Sequence, residues 1–198
     1  MVGCCRRCGR DAPGLDLEYL CEDCRRFRPH FDRAASALRF CGEARDMVNA
    51  FKFREHCWMR TDFVDFLEAV TRSRFHIGKI DAVLAVPIPL RRRFDRGYNQ
   101  SECLARLLAK RLERRFVDGA MKRLGSPRRQ GALKEEERRT NVIGTFAVRC
   151  AQELVGRTVL VVDDIMTTGS TLSECARVLK VAGVKRVWCV TLARSFRN

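Results

Sequence analysis

Residues 159–171 read VLVVDDIMTTGST. Four apolar residues lead into two adjacent carboxylates, Asp163 and Asp164, and a run of hydroxyls around Gly169 follows from Thr167. An apolar strand, then hydroxyls, a glycine and the start of a helix form an anion cradle. Successive backbone N–H groups and the helix N-terminus hold phosphate oxygens, and the glycine lets the backbone come close to them. The two carboxylates would repel a phosphate, so they serve another part of the ligand. As paired acceptors they suit the vicinal hydroxyls of a ribose whose 5-phosphate rests on residues 167–171. A divalent cation bridging ribose and pyrophosphate oxygens would ease the charge conflict. A Walker B element is the rival use of such acids, but it requires G-x-x-x-x-G-K-[ST], which the chain lacks. An N-cap role would explain one carboxylate and leave the Thr-Thr-Gly-Ser-Thr run unexplained.

A second chemistry lies near the N-terminus. CCRRCGRDAPGLDLEYLCEDC contains Cys5-x2-Cys8, then Cys21-x2-Cys24. Two such knuckles turn four sulfurs toward one point, the pattern of a tetrahedral zinc site. The intervening segment has no long apolar face and needs a metal staple to fold. A closed four-thiolate site has no open coordination position, so its role is structural rather than catalytic. Cys4 is a spare, and a Cys4–Cys8 pairing remains an alternative, as do reduced cysteines without metal. The other six cysteines, at 41, 57, 103, 150, 175 and 189, have no ligand spacing and are expected as small core residues.

The chain has 198 residues, 11 cysteines and a formal net charge of +15. That length suits one main domain with a small appendage. The charge points to anionic partners, phosphates or nucleic acid, with a solvated basic surface as the plain alternative. No apolar run reaches the roughly 18 to 20 residues of a membrane span. The N-terminal stretch carries charge and cysteines where a signal peptide would be apolar, so a cytoplasmic protein is expected. Metal or buried thiols then explain the cysteines better than disulfides do.

The elements that must position these groups alternate. A linker is expected at residues 25–33 and a strand at 34–40. Helical spacing covers 43–53 and 57–74, with Phe63, Phe66, Leu67 and Val70 on one face. AVLAV (82–86) reads as a short buried strand. Residues 99–116 read as an amphipathic helix with Leu104, Leu107, Leu108 and Leu112 inward. GAMKRL and GTFAVR are candidate strands flanking a charged stretch without periodicity. Strand TVLVV, helix STLSECARVLKVAG and strand RVWCVTLA close the chain. Strands apolar on both sides that alternate with helices predict an α/β fold with a mostly parallel sheet covered on both faces. Ligands in such sheets bind beyond the carboxyl ends of the strands.

VLVVDDIMTTGST closely resembles the phosphoribosyl-diphosphate (PRPP) signature of type I phosphoribosyltransferases. VPIPLRRRFDRGYNQS, RRQGALKEEERRTNVIGTF and the two-knuckle segment together resemble the ComF/GntX family over essentially the whole chain. The resemblance implies a Rossmann-like type I phosphoribosyltransferase core, residues 31–198, behind a zinc module of residues 1–30. It implies that Asp163 and Asp164 bind the ribose hydroxyls and that Thr167, Thr168, Gly169, Ser170 and Thr171 hold the 5-phosphate. The loop with Pro87, Arg91, Arg96 and Gly97 would face pyrophosphate, where arginine forks give bidentate contacts. Asn99 and Gln100 would support that loop or touch ligand. Residues 125–141 would close over the reacting centre, with Gln130, Arg138 and Asn141 matching the family pattern and Arg138 joining the two acids in catalysis. Pro127 departs from it, standing where a Thr is expected. For any single arginine in the charged runs, a solvated surface remains the alternative.

The implied reaction transfers the 5-phosphoribosyl group and releases pyrophosphate, with Mg2+ and cations stabilising the leaving group. The acceptor is not legible. The rival reading is a non-catalytic PRPP sensor, or an accessory that handles single-stranded DNA beside a helicase or other uptake partner. Competence, the source of the family name, implies it, and fold alone does not decide. With two Trp and two Tyr, the chain lacks a dense aromatic platform for stacking bases. Related folds often dimerise, which implies a homodimer.

Overall fold

The computed structural model describes residues 3–14, 16, 18–51, 58–125 and 142–195. Its centre is a five-stranded sheet of order β1-β7-β6-β2-β3, in which every pairing is parallel. The strands are β1 (Arg33–Arg39), β2 (Ala82–Ala85), β3 (Arg115–Phe116), β6 (Thr158–Met166) and β7 (Arg186–Arg194). The candidate strands GAMKRL and GTFAVR become β4 (Met121–Arg123) and β5 (Phe146–Val148). They pair antiparallel in a separate two-stranded sheet.

Side-chain alternation along the strands explains the two-sided cover. In β6, Leu160 and Val162 face one way, toward α3 (Arg60–Arg74) and α5 (Gln100–Arg111); Val159 and Val161 face α7 (Ser170–Val181). All four are fully buried, so neither face can take a polar residue without loss. Truncating one of these β-branched or leucine side chains to Ala would cost roughly 2–5 kcal/mol. On the first face Phe75 stacks on Trp188 with centroids 5.3 Å apart, and Phe51 meets Phe63 edge-on at 5.2 Å.

The structure shifts some expectations. The linker begins later, because Glu22–Phe27 forms a short helix, α1. The buried stripe of α3 is Phe63, Val64, Leu67 and Thr71. Phe66 turns outward, 46% exposed, and Val70 is only partly covered. In α5 the inward face is Leu104, Ala105, Leu108, Ala109 and Leu112, with Leu107 at its margin. Two further helices were not legible: α4 (Leu90–Arg96), which buries none of its residues, and the one-turn α6 (Ala151–Leu154). Residues 43–53 give α2 (Gly42–Ala50). Of the six scattered cysteines, Cys175 and Cys189 are core. Cys41 is exposed, Cys103 and Cys150 are half-buried, and Cys57 lies outside the described residues.

The N-terminal segment packs on the sheet edge at β1. Ala34 N donates to Arg7 O at 2.6 Å. Gly9 sits at φ +68°, where an added Cβ would stand 2.7 Å from Ala34 O, so only glycine fits this contact. No helix among the described residues is long and apolar enough to cross a membrane.

Candidate functional site

β2 and β6 are neighbours, but the chain leaves them in opposite directions, β2 toward β3 and β6 toward β7. Their carboxyl ends therefore flank the topological switch point, where open parallel sheets bind ligands. Both chemically loaded segments lie there. The strand β6 runs through both acids to Met166, because β7 stays paired alongside it, Asp163 opposite Thr191 and Ile165 opposite Ala193.

Asp163 is buried and Asp164 half-buried. Ser101, in the first turn of α5, donates its hydroxyl to Asp163 Oδ1 at 2.8 Å, and Asp164 N donates to the same oxygen at 3.0 Å. Ile165 N donates to Asp164 Oδ1 at 2.7 Å. Burial, and then the charge of Asp164, push the Asp163 carboxyl well above its ordinary range. Among the described residues no lysine or arginine forms an ion pair with either acid.

Past Met166 comes the hydroxyl loop. Gly169 stands at the N-cap of α7 with φ +78° and offers no side-chain cap. Ser170 N aside, the first N–H groups of α7 meet no side-chain cap and can receive an incoming acceptor. Thr168 Oγ1 and Ser170 Oγ share a 2.6 Å hydrogen bond, and Ser170 N donates to Thr168 Oγ1 at 3.3 Å. Thr167 is exposed, and Thr168, Ser170 and Thr171 are half-buried. The five residues singled out by sequence are therefore gathered on one helix start, one strand-end from the acids.

On the other side of the switch point, Pro87 begins the loop after β2, and Arg91 is exposed on α4. Gly97 ends α4 with φ +74°. Arg96 Nη1 donates to Gln100 Oε1 at 3.2 Å. Asn99 is a buried clasp: its Nδ2 donates to Val86 O at 3.1 Å and its Oδ1 accepts from Ser101 N at 3.1 Å. Asn99 and Gln100 are buried, 7% and 1% exposed. Tyr98 donates to Phe51 O and pins the same loop to the helical layer.

Beside this loop lies a cavity of about 230 Å³ whose lining includes Pro87, Arg93, Asn99, Lys122, Arg123 and Arg149. Its acids, Glu102 and Asp118, are both held by Arg106, at 3.3 and 3.1 Å. The remaining character of the chamber is cationic, which suits phosphate oxygens. Gln130, Arg138 and Asn141, together with Pro127, lie outside the described residues.

The knuckles converge as their spacing predicts. Cys5, Cys8, Cys21 and Cys24 are buried, with their sulfurs all within 4.8 Å of one another. Cys8 and Cys21 sulfurs are 3.6 Å apart. Four thiolates about 2.3 Å from one tetrahedral zinc would stand about 3.8 Å apart. The cluster can hold a metal ion such as zinc. Hydrogen bonds from Cys21 and Cys24 pull the Cys8 thiol down to about 6, while hydrogen bonds with Cys21, Cys5 and Cys8 push Cys24 up. Cys4 stands apart, its sulfur accepting from Arg74.

The phosphoribosyl transferase domain family matches residues 99–197, from the Asn99 clasp through the hydroxyl loop to the end of β7. The chain belongs to this family. It is similar to competence protein F of Haemophilus influenzae, 29% identical over 189 residues that cover 92% of this chain and 82% of that protein. DNA utilization protein YhgH of Escherichia coli strain K12 is 27% identical over 193 residues, covering 94% and 82%. Competence protein ComFC of Bacillus subtilis is 25% identical over 198 residues, covering 96% and 78%. Within the phosphoribosyl transferase family the chain is therefore of the ComF type.

Two residues of this phosphoribosyl transferase domain escaped the sequence. Ser101 reads as an ordinary helix start, and nothing local links it to an acid 62 positions away. Arg123 reads as the exposed end of a short strand. It is instead half-buried, its guanidinium 5.0 Å over the Phe146 ring. Burial, and then the charge of Arg92, lower its hold on its proton.

Proposed function

We propose that the protein binds PRPP with Mg2+ at the switch point and transfers its 5-phosphoribosyl group, releasing pyrophosphate. One observation carries this reading: Asp163 and Asp164, without an ion pair among the described residues, stand one strand-end from the start of α7, whose N-cap Gly169 supplies no side-chain cap. That pairing of acids and anion cradle fits a phosphorylated ribose and few other ligands.

In this reading Asp163 and Asp164 accept the 2- and 3-hydroxyls, and residues 167–171 hold the 5-phosphate. Arg91, Arg96, Arg123 and the cationic cavity face the departing pyrophosphate, while Asn99 and Gln100 hold the loop in place. Gln130, Arg138 and Asn141 belong to a segment that closes over the reaction. The donor set is hard oxygen, which fits Mg2+; when bound, the ion neutralises pyrophosphate charge. The residues position the sugar and exclude water as positive charge develops at C1. Residues 1–30 form the metal module, with structural zinc, and 31–198 the transferase unit, in a cytoplasmic protein that dimerises.

A second reading rests on α4 and on the names of the relatives. Phe94 is 85% exposed among Arg91, Arg92, Arg93 and Arg96, and an exposed ring amid arginines can stack on a base. Here the protein senses PRPP while handling single-stranded DNA with a helicase or other uptake partner. Titration calorimetry of metal-loaded protein with PRPP and Mg2+ tests the first reading. Heat that disappears in Asp163→Asn/Asp164→Asn supports it, and pyrophosphate release with a panel of bases separates enzyme from sensor. No heat at millimolar PRPP would sink the PRPP site and leave the DNA reading, to be tested by salt-dependent single-strand binding.

A further inference from the structure

Arg194, near the end of β7, is 3% exposed. Its Nη1 donates to Cys8 O inside the first knuckle. Its Nε has no hydrogen-bond partner among the described residues. A guanidinium stays charged, and a buried charge is costly unless something of opposite sign answers it. The obvious acids are engaged elsewhere. Asp23 bonds to Arg10, and Glu174 accepts from Arg177 at 2.7 and 2.8 Å. With those acids taken, the knuckle that already holds Nη1 offers the opposite charge through its sulfurs. Four thiolates around one divalent cation carry a net formal charge of about −2.

The same side chain shares a cavity wall with the anion loop. A cavity of about 240 Å³ has Cys8, Cys24, Phe31, Thr168, Ser170 and Arg194 in its wall. The backbone ties run in parallel. Arg194 pairs in register with Met166, and Ser195 N donates to Met166 O at 3.0 Å. Met166 packs so closely on Gly169 that an added Cβ there would meet Met166 Cε at 2.7 Å.

We propose that Arg194 is a positioning residue shared by two sites: it answers the charge of the four-thiolate metal centre and transmits occupancy of that centre to the loop at residues 167–171. The second half rests on the reading of that loop as the phosphate site. Metal bound at the knuckles holds Arg194 against Cys8, and Arg194 in turn fixes Met166 beneath Gly169.

The test compares full-length wild type with Arg194→Met and Arg194→Lys. Zinc loss to excess chelator and the thiolate charge-transfer band of the cobalt-loaded protein read the metal side. Calorimetry with PRPP and Mg2+ reads the loop. Arg194→Met is expected to lose zinc about 10- to 100-fold more readily, to shift the cobalt band and to weaken PRPP binding. Arg194→Lys should recover most of the zinc retention, because the charge returns. Wild-type zinc retention and an unshifted band in Arg194→Met would overturn the proposal, as would equal defects in Met and Lys variants. If Arg194→Met fails to fold, wild type decides: equal PRPP affinity before and after chelation, at unchanged circular dichroism, overturns the coupling. If wild type gives no PRPP heat, the phosphate-loop reading and the coupling fall together, while zinc retention still judges the role of Arg194 at the metal.

Discussion

The hydroxyl of Ser101 donates to Asp163 Oδ1 at 2.8 Å, joining the start of α5 to the end of β6 across the switch point. Ser101 N is itself held by Asn99 Oδ1, and Asn99 Nδ2 by Val86 O at the end of β2. One chain of hydrogen bonds thus runs from the loop after β2 to the buried acid at the end of β6. It sets the spacing between the two halves of the site before any ligand arrives, and preformed geometry lowers the ordering cost of binding.

Ser101→Ala removes the middle of this chain. It leaves Asp163 with one donor fewer in a buried setting, a loss of about 1 kcal/mol in stability. PRPP affinity should fall several-fold, because the acid is no longer aimed. Urea denaturation and calorimetry check both; unchanged affinity would show that Asp163 needs no such alignment.

Asp163→Asn should change how stability depends on pH. The folded carboxyl binds its proton more tightly than in the unfolded chain, chiefly through burial and then through Asp164. As pH rises past the unfolded value near 4, the unfolded chain releases its proton and the folded one keeps it. Stability therefore falls with rising pH until the folded carboxyl also ionises. Asparagine can accept the same two hydrogen bonds without this penalty. The variant should match wild type near pH 4 and exceed it by about 1 kcal/mol near pH 7, while losing PRPP binding. Parallel melting curves from pH 4 to 8 would contradict this.

The parts of the fold that were legible share one property, a pattern written in consecutive residues. The run Val159–Val162 announced a strand buried on both sides, and the two-residue spacing inside each knuckle announced convergent sulfurs. What was not legible depends on distant partners. Phe66 looked like core because it shares a helical stripe with Phe63, yet the contact face is set by β1 and α5 and takes Val64 and Thr71 instead. Helix α4 has no buried residue to leave a periodic trace. The two acids looked like loop residues because strand signals stop at Val162; β7 alongside extends the pairing to Met166. Ser101 and Arg123 carry no local mark at all, since their roles exist only once β6 is beside them.

Removing the metal should destabilise more than the first thirty residues. Cys5, Cys8, Cys21 and Cys24 belong to the same apolar cluster as Phe31, Met166 and Leu172. Cys21→Ser, or chelation of the wild type, should lower the melting temperature of the whole chain in one transition, by several kcal/mol equivalent, on the order of a structural zinc's contribution to folding. Metal content and calorimetric scanning check this together. Two separate transitions, with the upper one unmoved, would mean that the module and the sheet fold independently.

Gly169→Ala tests the anion loop without touching a polar group. The residue sits at φ +78°, a region that costs an alanine about 1 kcal/mol or more. Its new methyl would also press on Met166 Cε, at 2.7 Å before relaxation, with the Phe31 ring 3.7 Å away behind it. Met166 ends a flexible side chain and can yield, so the fold should survive with a loss of about 1–3 kcal/mol. The backbone N–H groups at the start of α7 would turn away from their present directions. PRPP affinity should then drop at least tenfold, with the drop exceeding that of Thr167→Ala, which removes one exposed hydroxyl and leaves the amides in place. If instead Thr167→Ala is the more damaging, side-chain hydroxyls rather than backbone amides grip the phosphate, and the helix start is not the cradle.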